Sequence, residues 1–155
     1  MIPHGIPAAS HRGEQQFPFV TIMEGVMVQV VHADIKAGLW VTRMRAQPGV
    51  TLQRHKHTGE VFAFTLAGSW RYLEYPEINE TGSYLHEPAG SVHTLDVPSS
   101  NTGITDVWFA IRGANIYLDD AGNVTSVTDA AKAVDRYLQA CADAGHPVPD
   151  VIGYP

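Results

Sequence analysis

Gly49-Val50-Thr51-Leu52-Gln53-Arg54-His55-Lys56-His57 and Gly82-Ser83-Tyr84-Leu85-His86-Glu87-Pro88-Ala89-Gly90-Ser91-Val92-His93 are the two runs whose reading decides the fold. Successive side chains of a strand point to opposite faces, so His55 and His57 emerge together while Lys56 turns away. A third imidazole, His93, arrives from another strand directly after the turn encoded by Pro88-Ala89-Gly90. Three imidazoles from distant parts of the chain can grip one cation. Imidazole suits Fe(II), Zn and Ni, and a site with three protein ligands keeps positions open for other molecules.

Outward from these runs the chain reads as short strands. Phe19 to His32 is rich in Val, Ile and Met and breaks at Gly25, which predicts two strands. Leu39 to Met44 predicts another, leading into the turn at Pro48-Gly49. Val61 to Leu66 follows the histidine pair, and Gly68-Ser69 predicts a hairpin into Trp70 to Tyr75. Ser83 to Glu87, Thr94 to Val97 and Ile104 to Ile111 are strands by the same reasoning. Asn115 to Leu118 and Val124 to Val127 flank the turn signal Asp119-Asp120-Ala121-Gly122-Asn123. So many short strands at regular turn spacing favour a barrel or a double-sheet jelly roll. The end of the chain alone reads as helical, with Thr128 expected as its cap, Asp129 in its first turn, and Val134, Tyr137, Leu138 and Cys141 on one face before Gly145 ends it. On that stripe Cys141 reads as a small apolar residue rather than a reactive thiol.

The division that follows is an irregular arm over 1–18, a barrel over 19–127, a helical segment over 128–145 and a tail over 146–155. His4 and His11 lie in the arm without paired spacing and read as solvated. A chain of 155 residues with a 45% hydrophobic fraction builds one domain around one core. Charged residues make up 17%, below the usual quarter, which points to surface covered by a partner copy, as a dimer or tetramer, or surrounding an apolar cavity. The net charge of −6 comes without basic clusters, so nucleic acid is not an expected partner. One cysteine excludes an intramolecular disulfide and a cysteine-based zinc cluster. With no long apolar segment and no leader-like start, no membrane partner and a cytoplasmic location are expected.

The first run, closing at Gly68, resembles the first cupin motif, and the second resembles the second cupin motif, with Val97 standing where that motif ends in Asn. The resemblance implies an all-β, single-domain cupin jelly roll with His55, His57 and His93 as metal ligands. The first motif usually carries a metal-binding Glu three or four residues after its second His, but Glu60 follows His57 after only two. In a regular strand that difference turns Glu60 to the other face, so a three-histidine site without it is expected.

The stretches from Thr58 to Tyr75 and from Glu87 to Leu95, with Asp119 to Asn123 and the closing helix, are similar to the 2,4′-dihydroxyacetophenone dioxygenase-like cupins, relatives of the acetylacetone-cleaving dioxygenases. That likeness implies a non-haem Fe(II) oxidoreductase that uses O2 to cleave a C–C bond of an aromatic α-hydroxyketone or a β-diketone. Zn, Ni or Mn are the other metals to consider. Glu87, six residues before His93, is the candidate for moving a proton at the metal, or for holding a ligand histidine. His86 neighbours it on the opposite strand face. Phe62, Phe64, Trp70, Tyr72, His86 and Trp108 are the candidate walls of a substrate pocket, with Trp40 a further source of aromatic surface. Two other readings stay open: an isomerase or lyase with another divalent metal, and a non-enzymatic metal- or small-molecule-binding cupin. The zinc-binding cupin of anti-sigma factors is one such relative, but it accompanies a helical partner-binding domain for which this chain has no room.

Overall fold

The computed structural model describes residues 7–154, so His4 lies outside the described residues. Among them are thirteen strands and one α-helix: β1 (Val20–Met23), β2 (Val26–Asp34), β3 (Leu39–Ala46), β4 (His55–His57), β5 (Val61–Ala67), β6 (Ser69–Tyr72), β7 (Ile78–Glu80), β8 (Tyr84–Glu87), β9 (Val92–His93), β10 (Leu95–Asp96), β11 (Thr105–Arg112), β12 (Asn115–Leu118), β13 (Val124–Thr128) and α1 (Ala130–Asp143). They form a six-stranded sheet in the order β1-β2-β3-β11-β5-β8, a four-stranded sheet in the order β13-β12-β4-β9 and a three-stranded sheet in the order β10-β6-β7. The pairings within these sheets are antiparallel, as in a jelly roll.

Period-two burial decides what each strand sends inward. Along β5, Val61, Ala63 and Thr65 are buried whereas Phe64 and Leu66 face out. On β11, Val107, Phe109 and Ile111 join them in a core that also takes Trp70, Met44 and Val97. The hairpin expected at Gly68-Ser69 does not form. β5 pairs with β11 and β8, β6 pairs with β10 and β7, and the chain passes from one sheet to another at Gly68. Gly68 has φ +75°, and a Cβ there would lie 2.6 Å from Thr105 Oγ1, so the crossing needs both the left-handed backbone and the missing side chain.

The helix begins one residue later than the sequence suggests. Asp129, not Thr128, is its cap and accepts from the Lys132 amide at 2.9 Å, while Thr128 is spent as the last residue of β13. Ala130, Ala133, Val134, Tyr137 and Cys141 form its buried face, and Leu138 is half-buried. Cys141 is fully buried, and the Tyr137 hydroxyl donates to the Pro18 carbonyl at 2.9 Å, so α1 ties down the end of the arm. In the arm Phe17 is buried, while Glu14 reaches Arg43 at 2.7 Å and His11 is exposed. No helix among the described residues is long and apolar enough to cross a membrane.

Candidate metal centre

β4 lies inside the four-stranded sheet, between β12 and β9, and its burial alternates as the histidine spacing requires: His55 and His57 in, Lys56 out. His93 of β9 is the direct cross-strand partner of His55. The turn that delivers it is stitched to β4, with the Gly90 amide donating to the His57 carbonyl at 2.8 Å and the His57 amide to the Ser91 carbonyl at 3.0 Å. The three imidazoles converge: ring centroids are 4.8 Å apart for His55 and His57 and 5.0 Å apart for each of the other two pairs. One nitrogen from each ring lies within 4.8 Å of the others, and all three residues are buried.

Protonation favours ligation. A carbonyl can only accept, so His55 Nδ1, 3.0 Å from the Gln53 oxygen, carries the proton and leaves Nε2 with a lone pair. Burial, reinforced by the adjacent His57, pushes the His55 imidazolium down to about 4 against the raising effect of Gln53, so the ring is neutral near pH 7.

Glu87 enters from the opposite side, on β8 of the six-stranded sheet. Its Oε2 lies 2.8 Å from His57 Nε2 and 3.1 Å from His93 Nε2, and neither contact is aligned as a hydrogen bond. Buried nitrogens and a carboxylate oxygen facing one another this closely without an aligned hydrogen bond fit a cation held by His55, His57 and His93 with Glu87 beside it. The other oxygen, Oε1, accepts from the Tyr72 hydroxyl at 2.6 Å. Burial, and then Glu87 itself, push the Tyr72 phenol well above its ordinary value, so it stays a donor. Its ring stacks on His93 with centroids 3.6 Å apart. The three histidines, Glu87 and Tyr72 therefore come from all three sheets.

A cavity of about 760 Å³ opens from His55, His57, Glu87 and Tyr72, walled by Trp40, Met44, Val61, Phe109 and Ile111. Of the six residues expected to line a pocket, only Tyr72 does so. Phe62 is half-buried on the outer face against His86, Phe64 is 41% exposed, and Trp108 lies half-buried beside Phe64 on that same outer face. Strand parity is the cause: with Val61 inward, Phe62 and Phe64 must point out. His86 is exposed and meets Glu60 at 3.2 Å, so Glu60 faces solvent, away from the three histidines. Trp70 is fully buried, but its Nε1 donates to Thr65 Oγ1 at 2.9 Å and its ring packs against Tyr72 and Phe109, beneath the site. Sequence reasoning missed Asn115, a buried carboxamide on the cavity wall and the cross-strand partner of His57. The signal was a polar residue opening an apolar strand.

The ChrR cupin-like domain model matches residues 11–108, more than half of the chain. The chain belongs to this cupin family. Among solved structures, this cupin is similar to a protein of unknown function with a cupin-like fold from Ralstonia eutropha, at 31% identity over 88% of this chain and 91% of that one, with a TM-score of 0.82. It is similar to an RmlC-like cupin protein of the same organism at 29% identity over 98% of both chains, TM-score 0.86. The acetylacetone dioxygenase of Acinetobacter johnsonii shares its fold at 17% identity over 90% of this chain and 97% of that one, TM-score 0.75. No curated protein matches the chain.

Proposed function

We propose that this cupin is a non-haem Fe(II) dioxygenase that cleaves a C–C bond of an aromatic α-hydroxyketone or a β-diketone with O2. The observation that carries the reading is the placement of three buried imidazoles and one buried carboxylate at the inner end of a large, mostly apolar cavity. Bound there, Fe(II) supplies a Lewis-acidic, redox-active centre to which a chelating substrate and O2 both have access.

The protein's own part follows from its residues. His55, His57 and His93 would hold the ion, and His55 is fixed in the right tautomer by Gln53. Glu87 Oε2 would take up the proton lost from the carbon beside the ketone carbonyl, while Tyr72 keeps the carboxylate aimed through Oε1. Trp40, Phe109 and Ile111 keep bulk water from the reacting carbons. For 2-hydroxyacetophenone and O2 the products are benzoic acid and formic acid, which together contain all atoms of both reactants.

The test is anaerobic Fe(II) reconstitution followed by oxygen uptake with 2-hydroxyacetophenones and β-diketones as competing substrates. One O2 consumed per substrate cleaved is expected. Tight Zn, Ni or Mn with turnover but no oxygen uptake would move the protein to the isomerases and lyases. His93→Ala is expected to lose the metal, measured by elemental analysis, while its circular dichroism stays native. Full metal occupancy in that variant would refute the ligand assignment.

A further inference from the structure

The cavity extends well beyond the metal-binding end, and one row of the four-stranded sheet carries polar side chains along it. Asn115 of β12 is the direct partner of His57 on one side and of Thr128 on the other. Direct partners in an antiparallel pair project to the same face, and His57, Asn115 and Thr128 all line the cavity. The row continues into α1, where Arg136 Nη1 donates to Thr128 Oγ1 at 3.2 Å and the side chain also lines the cavity.

Two members of this row lack the partner their chemistry calls for. Asn115 is 7% exposed, and its Oδ1 finds no donor, an arrangement that costs stability when nothing compensates it. Arg136, exposed where it lines the cavity, has Thr128 as its hydrogen-bond partner and no carboxylate within ion-pair distance among the described residues. The other charged groups on the wall are Glu87 at the inner end and Asp143, which lies two helical turns beyond Arg136 and accepts from Gln139 at 2.8 Å. A guanidinium without a carboxylate beside an apolar cavity is a receptor for a planar anion. The chain's net charge of −6 gives an anion no general attraction, so its capture must be local.

We propose that Asn115 and Arg136 form a polar arm of the substrate site, and that the natural substrate carries a carboxylate at the end opposite its chelating oxygens. The class of substrate rests on the function proposed above; the arm itself does not. His57 to Thr128 is two strand spacings, roughly 10 Å, so an aromatic ring fits between the chelating end and the acid. At the near end of that path Asn115, the direct partner of His57, accepts from the hydroxyl of the hydroxyacetyl group.

Calorimetry at low salt with two acid–ester pairs tests the proposal. The first pair, 4-(hydroxyacetyl)benzoic acid and its methyl ester, is titrated into Zn(II)-loaded and into metal-free protein. The second, 4-ethylbenzoic acid and its methyl ester, has no chelating end and is titrated into metal-free protein. In both pairs the acid is expected to bind at least tenfold tighter than the ester. Arg136→Met should reduce the acid to the ester's level and leave plain 2-hydroxyacetophenone within twofold, and Arg136→Lys should keep part of the preference. Asn115→Leu should weaken both hydroxyacetyl compounds, with a melting temperature unchanged or raised. Acids that bind no tighter than esters, or a preference that survives Arg136→Met, would overturn the arm, and unaltered affinities in Asn115→Leu would remove Asn115 from it. If the hydroxyacetyl pair ignores the metal while the ethylbenzoate pair keeps its ratio, the arm stands and the dioxygenase reading falls.

Discussion

Glu87 concentrates the chemistry of the site in one side chain. It is buried, brought in by the six-stranded sheet, and divided between Tyr72 on one oxygen and two ligand histidines on the other. Glu87→Gln keeps the shape and an acceptor for the Tyr72 hydroxyl but cannot take up a proton at neutral pH. The expected outcome is retained metal with kcat lowered about 100-fold or more, read by elemental analysis alongside oxygen uptake. An emptied site would make Glu87 a ligand and would move the base elsewhere.

Among the elements, β4 is a short strand that carries two of the three histidines. Its three residues are enough because they are held on both sides, by β12 and by β9, and because the Gly90 turn bonds to them. The crossing from β5 to β6 matters equally, since it sends Tyr72 to the centre rather than leaving it in a peripheral hairpin. At Gly68 a side chain would meet left-handed strain and the backbone of Thr105 at 2.8 Å. Gly68→Ala is expected to cost about 2–4 kcal/mol, seen as a lower urea midpoint. An unchanged midpoint would show that the crossing tolerates an ordinary residue.

Across the molecule, the arm, β3 and β11 are joined by charge. Asp106 accepts from Arg43 at 2.7 Å through both oxygens and from Arg45 at 2.9 Å, and Arg43 continues to Glu14. Burial pushes the Asp106 carboxyl up, but the two guanidiniums overcome this and hold it below its ordinary value. As acid is added, the unfolded chain therefore takes up a proton at this position before the folded one does. The stabilisation is present above about pH 4 and lost as pH falls through the folded value. Asp106→Asn is expected to lower the urea midpoint at neutral pH and to shrink its further drop near pH 3. An undiminished drop would assign the acid sensitivity to other carboxylates.

What the sequence determined alone was local. The period-two pattern set most strands, the spacing of His55 and His57 put both on one face, and Pro88 with Gly90 set the turn that brings His93 beside them, because these rules act over a few residues. The tertiary structure decided which face of each strand is inside, and so moved Phe62, Phe64 and Trp108 off the cavity wall. It also decided that β5 and β6 part into different sheets, and that Glu87, Tyr72, Asn115 and Arg136 border one cavity. Long-range pairing makes those choices, and its register is carried by no single segment: shifting a strand by one residue preserves its composition and exchanges every side chain between core and water.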